Sequence, residues 1–309
     1  MVIFIKQTAQ NCGYVTRAYH YNPHNSIFVE MKLKQRLGIT YIQTKIKLTA
    51  LVRKKKAAEQ AFQLFCTPFA KTKRKEDPKH AEALQFFLNN KTVKGHRWNH
   101  PQQKKALILH GFSSAAYKFD RYVAPLVKKG YEVLSFDAPA HGDSEGTTTN
   151  AVEYSDMIKK IMELYGPVNS FIAHSFGGIA LSLAMENIPH DEQTKIVFIA
   201  PATETTSAVD GAFAMLGIKD KAVRKEFDQL IVEMSGHTTE WFSIRRAVNN
   251  IPAQILWIHD EDDDITPLSD ALKVKADNHN NINFVITKGL GHRKIYHDAE
   301  VKKAIINFM

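Results

Sequence analysis

Ser175 stands where a serine could become a nucleophile. The run Ser170–Gly178 reads Ser-Phe-Ile-Ala-His-Ser-Phe-Gly-Gly: an apolar strand pattern over Val168–Ala173, the serine, then a helical pattern over Phe176–Asn187. A hydroxyl is a weak nucleophile unless it is held exposed within reach of a base. A strand-to-helix elbow does that, and its tight backbone demands small residues two before and two after the serine. Gly177 meets the demand fully, and Ala173 meets it with one extra methyl. Taken alone, the stretch also fits an ordinary turn in a parallel sheet, so the functional reading needs a base and an acid elsewhere.

Both follow downstream. The apolar run Ala253–Ile258 delivers His259-Asp260-Glu261-Asp262-Asp263-Asp264, and Pro267 then opens a helix. A second run, Ile282–Ile286, ends in Thr287-Lys288-Gly289-Leu290-Gly291-His292. Three histidines come after the acid cluster. His279 falls in a polar loop pattern and His297 at the start of the last helix, where a surface role is the plainer reading. His292 alone sits on a glycine-punctuated turn just past a strand, where an imidazole can serve as general base. The carboxylates do not form a calcium loop: counted from Asp260, the sixth position is Ile265 rather than glycine and the twelfth is Ala271 rather than glutamate. Five carboxylates therefore compete for one imidazole.

Residues 90–309 resemble the α/β-hydrolase superfamily on four motifs. These are Leu107-Ile108-Leu109-His110-Gly111-Phe112; Phe136-Asp137-Ala138-Pro139-Ala140-His141-Gly142-Asp143-Ser144, similar to the family's Asp-x-x-Gly-His-Gly-x-Ser loop; the serine elbow; and the acid–histidine pair. Ala173, Ala140 and Asp260 stand where the family usually has glycine. Alignment on the family's His-Gly-x-x-Asp-x-x-x-Pro pattern implies Asp263 as the acid. Asp260, Glu261, Asp262 and Asp264 are then expected to form a solvated turn.

The resemblance implies a Ser175–His292–Asp263 triad, with His292 taking the serine proton and Asp263 fixing the imidazole tautomer. The backbone N–H groups of Phe112 and Phe176 would bind the oxyanion, and such donors are worth about 3–4 kcal/mol each in the barrier. The implied activity is serine hydrolysis of a small-molecule carboxylic ester through an acyl-enzyme. Acyl transfer to another acceptor and thioester cleavage use the same triad. A purely binding protein on the fold would need none of the three residues. Serine, imidazole and two amides suffice for this chemistry, so no metal or organic cofactor is expected.

The elements needed to carry these groups alternate along the chain. Strand patterns lie near Thr92–Trp98, Lys105–His110, Tyr131–Phe136 and Lys195–Ile199, with helical patterns over Ala116–Lys129 and Ala151–Tyr165. Such alternation predicts a mostly parallel sheet with helices on both faces. Residues 203–250 break the rhythm with helical patterns over Val209–Leu216, Lys221–Met234 and Glu240–Val248. In the family, an insertion there is a helical lid, and Phe213, Met215, Leu216, Trp241 and Phe242 are candidates for its apolar lining.

Charge divides the chain. Residues 1–100 carry a net +14 and residues 101–309 a net −5. The domain expectation is a basic N-terminal extension over 1–90, helical from about 31, joined to a hydrolase domain over 91–309. Leu33, Leu37, Tyr41, Ile42, Ile46 and Leu48 recur near helical spacing among lysines and Arg36. Docking of this stripe on the body is favoured over peripheral membrane contact. Lysines without a recognisable reading motif argue against nucleic acid. Residues 1–30 are irregular, and the protein is expected to begin in effect at Met31. Residues 71–78 read as an exposed linker. Cys12 and Cys66 are the only cysteines and imply no disulfide framework, so a cytoplasmic location is the default expectation.

Overall fold

The computed structural model describes residues 33–309, apart from the side chains of residues 33–37 and 39. Expectations for residues 1–30 lie outside the described residues. Eight strands form one sheet: β1 Ala81–Leu88, β2 Lys91–Trp98, β3 Lys105–Leu109, β4 Glu132–Phe136, β5 Ser170–His174, β6 Lys195–Ile199, β7 Gln254–Asp260 and β8 Ile282–Thr287. Their spatial order is β1-β2-β4-β3-β5-β6-β7-β8. β2 pairs antiparallel with β1 and with β4, and every pair from β4 through β8 is parallel. The sheet thus begins at Ala81, ahead of the first strand expected near Thr92.

The parallel strands are apolar on both sides because both sides are covered. Leu107, Phe171, Phe198 and Trp257 point into one core, and Ile108, Ile172, Val197 and Ile258 into the other. The first core is roofed by α4 (Ala151–Tyr165), α5 (Phe176–Met185) and α9 (Leu268–Ala276), and the second by α3 (Val123–Lys128) and α11 (Ala299–Phe308). A short helix, α10 (Gly291–Lys294), follows β8. α4 begins where the Asn150 side chain accepts the Glu153 N–H at 2.9 Å, a cap worth about 1 kcal/mol. Its inward Tyr154, Met157, Ile158 and Ile161 are fully buried, at roughly 1.5–3 kcal/mol for each large side chain.

Two N-terminal helices, α1 (Leu33–Val52) and α2 (Lys54–Phe65), dock on the insertion between β6 and β7, which holds α6 (Thr205–Leu216), α7 (Lys221–Ser235) and α8 (Ile244–Ala247). Buried Ala57, Ala58 and Ala61 leave room for close approach, and Phe62 and Phe65 meet Phe227 edge-on at 5.4 and 5.7 Å. Gln43 Nε2 donates to the Met215 carbonyl at 2.6 Å, and Lys54 pairs with Asp220. The expected α1 stripe docks only in part. Ile46 and Ala50 turn inward, whereas Tyr41 and Leu48 face out.

The aromatic candidates for a lid lining are spent on packing. Phe213, Leu216 and Phe242 are buried in the first core, Phe213 lies edge-on to Phe227 at 5.2 Å, and Trp241 stacks on His237 at 3.9 Å. The segment expected to be an exposed linker, residues 71–78, does lie mostly at the surface, but Lys71 and Arg74 tie it to the body. Cys66, at the end of α2, is buried. Burial, with the charge of Glu153, pushes its thiol up to about 12. Among the described residues no helix is long and apolar enough to cross a membrane.

Candidate active site

Ser175 sits between β5 and α5 with φ 53° and ψ −117°, a backbone region that costs of order 1–3 kcal/mol for a residue with a Cβ. Its surroundings impose it. The Ser175 N–H donates to the Ile199 carbonyl at 3.1 Å, and its own carbonyl accepts from Gly178 N at 2.9 Å and Ala202 N at 3.0 Å. Gly177 is needed for contact: a Cβ there would lie 2.9 Å from the His110 carbonyl oxygen. The turn after β3 presses equally close, since a Cβ on Gly111 would lie 3.0 Å from Ser175 Cβ.

His292 arrives from the other side. Positive-φ glycines at 289 and 291 reverse the chain after β8 and start α10 with the imidazole turned inward. Its Nε2 is 2.9 Å from Ser175 Oγ, and its Nδ1 is 2.8 Å from Asp263 Oδ2. With Nδ1–H donating to the carboxylate, the Nε2 lone pair faces the serine hydroxyl. Asp263 is held in turn: Oδ1 accepts from Ile265 N and Thr266 N at 2.9 and 2.8 Å, and Oδ2 accepts from Thr266 Oγ1 at 2.9 Å. Burial opposes its ionisation, but the hydrogen bond and charge of His292 outweigh it and hold the carboxyl below the ordinary carboxylate range. The structure therefore brings Ser175, His292 and Asp263 together, while His297 is exposed.

Asp260 departs from its expected place in a solvated turn. It is 0 % exposed and accepts from Thr287 Oγ1 at 2.6 Å, Gly291 N at 2.8 Å, Asp262 N at 3.0 Å and Leu290 N at 3.1 Å. Burial of a carboxylate is tolerated here because donors replace its water. Glu261, Asp262 and Asp264 are exposed as expected.

Phe112 and Phe176 face the same region from two elements, their rings edge-on at 5.4 Å. The Gly111 carbonyl is engaged twice, by His110 Nδ1–H at 2.8 Å and Ser114 N at 3.2 Å. In a planar trans peptide the N–H points opposite to the C=O, so the Phe112 N–H is turned away from those donors. Phe176 opens α5, where the N–H groups have no helical acceptor. Among the described residues neither amide meets an acceptor. Two histidines serve this turn as scaffold: His110 Nε2 accepts from Ala138 N at 2.9 Å, and His141 Nε2 accepts from Ser113 N at 2.9 Å. Burial pushes His110 down to about 4 and His141 to about 3, keeping both neutral acceptors. Asp137 staples the loop after β4 by accepting from Ala116 N and Asp143 N.

His174 received no role from the sequence. Its Nε2–H reaches the His292 carbonyl at 3.2 Å and its ring lies 4.8 Å from the His292 ring. Burial first, then the neighbouring His292, drives it well below the ordinary imidazole value. Its position directly before the serine was the one available signal.

Fold and site together place the chain in a known class. It belongs to the alpha/beta hydrolase family, whose pattern it matches over residues 106–304. Among named relatives, it is 28% identical over 107 residues to the uncharacterized hydrolase YugF of Bacillus subtilis, covering 33% of this chain and 39% of that protein. It is 30% identical over 104 residues to methylesterase 7 of Arabidopsis thaliana, covering 32% and 40%. The chain thus spans about two fifths of the length of the curated relatives it matches. The esterase Pf2001 of Pyrococcus furiosus shares the fold, with a TM-score of 0.59, 20% identity, and coverage of 79% of this chain and 96% of that one.

Proposed function

We propose that this chain is a serine hydrolase that cleaves a carboxylic ester through an acyl-enzyme. One observation carries the reading: a single imidazole bridges a hydroxyl on a strained elbow and a buried carboxylate, at 2.9 and 2.8 Å. Ser175 Oγ attacks the ester carbonyl carbon while its proton passes to His292 Nε2. The carbonyl oxygen becomes the oxyanion and is received by the N–H groups of Phe112 and Phe176. The alcohol leaves with the proton from His292, and the acyl group stays on Ser175. Water then attacks the acyl carbon, giving its proton to His292, and the carboxylic acid departs as Ser175 regains its proton. Asp263 keeps Nδ1 protonated throughout. Similarity to proteins named esterase and methylesterase agrees with an ester as substrate.

Fluorophosphonate labelling tests the nucleophile. The parent chain should label, and Ser175→Ala should not, at a nearly unchanged thermal midpoint. Equal labelling of both would refute the assignment. A panel of esters of graded acyl length on the parent then defines the substrate.

A further inference from the structure

The chain between α2 and β1 runs as a strap along the rim of the site. The Phe69 N–H donates to Ser113 Oγ at 2.8 Å, and Lys71 Nζ donates to the Ser144 carbonyl at 2.6 Å. Arg74 grips Asp120 through two bonds of 2.6 and 2.9 Å. The three anchors fall on the turn after β3, the loop after β4 and the segment Ala116–Tyr122. The first two lie beside Phe112, since Ser113 follows it and the loop after β4 brings the His141 ring to 5.5 Å from the Phe112 ring. The third is joined to that loop by the Ala116 N–H on Asp137 at 2.8 Å.

Ser113 is the point where the strap meets the turn. It holds a left-handed φ of 54°, its N–H is taken by His141, and its hydroxyl is taken by the strap. The Phe112 N–H belongs to the Gly111–Phe112 peptide, whose carbonyl accepts the Ser114 N–H at 3.2 Å. The torsions of Ser113 set where Ser114 N stands, so a change at Ser113 re-aims the Phe112 N–H through that bond. The Phe69 side chain is 63% exposed, which leaves the backbone tie as its contribution. Such a tie adds little to global stability. A donor that loses its aim at a developing oxyanion costs far more in rate, up to about a hundredfold or beyond when it is lost outright.

We propose that Ser113, tied by the strap Phe69–Arg74, is a positioning residue for ester hydrolysis. It acts through Phe112 and does not touch the reacting atoms, and the proposal rests on the hydrolase reading above. The N-terminal segment is then a working part of the site.

The test compares Ser113→Gly, which accepts the left-handed backbone without strain, with Arg74→Ala and the double variant. Each single change should lower kcat about tenfold, part of the loss for a missing oxyanion donor, with KM essentially unmoved. The inhibition constant of a trifluoromethyl ketone, whose adduct carries the tetrahedral oxyanion, should rise in the same proportion. The double variant should match Ser113→Gly, because both changes cut one line of support. Amide exchange at Ser113 and Ser114, whose N–H groups hold the turn, should quicken in both singles. Effects confined to KM, losses that multiply in the double variant, or unchanged kinetics in a parent that takes fluorophosphonate would overturn this proposal alone. A parent that takes no fluorophosphonate would overturn the hydrolase reading and this proposal with it.

Discussion

Asp260 and Asp263 leave the same strand end, both are buried, and they do different work. Asp260 receives three backbone N–H groups and the Thr287 hydroxyl, two of the amides being those of Leu290 and Gly291 just before His292. Asp263 receives two amides, the Thr266 hydroxyl and the imidazole itself. The first carboxylate fixes where the imidazole starts, and the second fixes which way it faces. Similar burial of similar groups thus separates into anchorage and orientation, and the donors around each decide which.

Asp263→Asn tests orientation and carries the largest effect. An amide in that place favours the wrong tautomer, so kcat should fall by about a thousandfold or more while the thermal midpoint stays close to the parent's. Steady-state kinetics and a melt on the same sample read both quantities. Equal losses for Asp260→Asn would erase the distinction between the two positions.

Acid probes the surroundings of both carboxylates. His110, His141, His174 and His259 are all pushed down, in each case first by burial. Their folded values lie below the unfolded value of about 6.5, so below that pH the unfolded chain binds more protons. Stability is therefore complete above about pH 6.5 and declines as pH falls, by up to about 1.4 kcal/mol per pH unit for each such group. For His110 the window closes near about 4 and for His141 near about 3. Asp263 adds a loss of the same sign once pH drops through the carboxylate range. Denaturant titrations between about pH 7.5 and about pH 5 should show a loss of several kcal/mol, and a flat profile would contradict neutral buried rings.

Asp260→Asn comes next. It replaces an acceptor-only group by one with two donors facing backbone N–H groups, at a cost of about 1–3 kcal/mol in stability. The folded fraction should keep activity within about tenfold of the parent, since the chemistry runs through another carboxylate. Urea unfolding measures the first effect and kinetics at low temperature the second. Smallest of all is Asp262→Ala. Asp262 Oδ2 accepts only the exposed Gly289 N–H at 3.0 Å, so a change of about 0.5 kcal/mol or less is expected.

The sequence made the site's main chain plain where a signal was local. The apolar run, small residues and serine around Ser175 occupy nine consecutive positions, and His292 follows a strand through two glycines. Asp260 was misread because a run of five acidic residues looks solvated, while three of its four donors come from residues 27 to 31 positions away. β1 was hidden for another reason: an edge strand with exposed Phe87 and only Phe86 buried does not alternate. The strap's anchors lie 44 to 73 residues along the chain, and no periodicity announces such ties. The insertion's helices were legible, and so was a helical N-terminal segment docked on the body, but not that the insertion is the surface it covers.

That cover sets an order of events in folding. α1 and α2 are synthesised first, yet Gln43 and Lys54 find their partners 172 and 166 residues later. Until α7 exists, Phe62 and Phe65 lack the Phe227 ring they meet edge-on, and a nascent chain carries that part of its apolar surface unpaired through most of its synthesis. Contacts that close loops of this length form late. These helices thus emerge before the sheet and settle after it, and in refolding experiments their protection should trail that of the central strands.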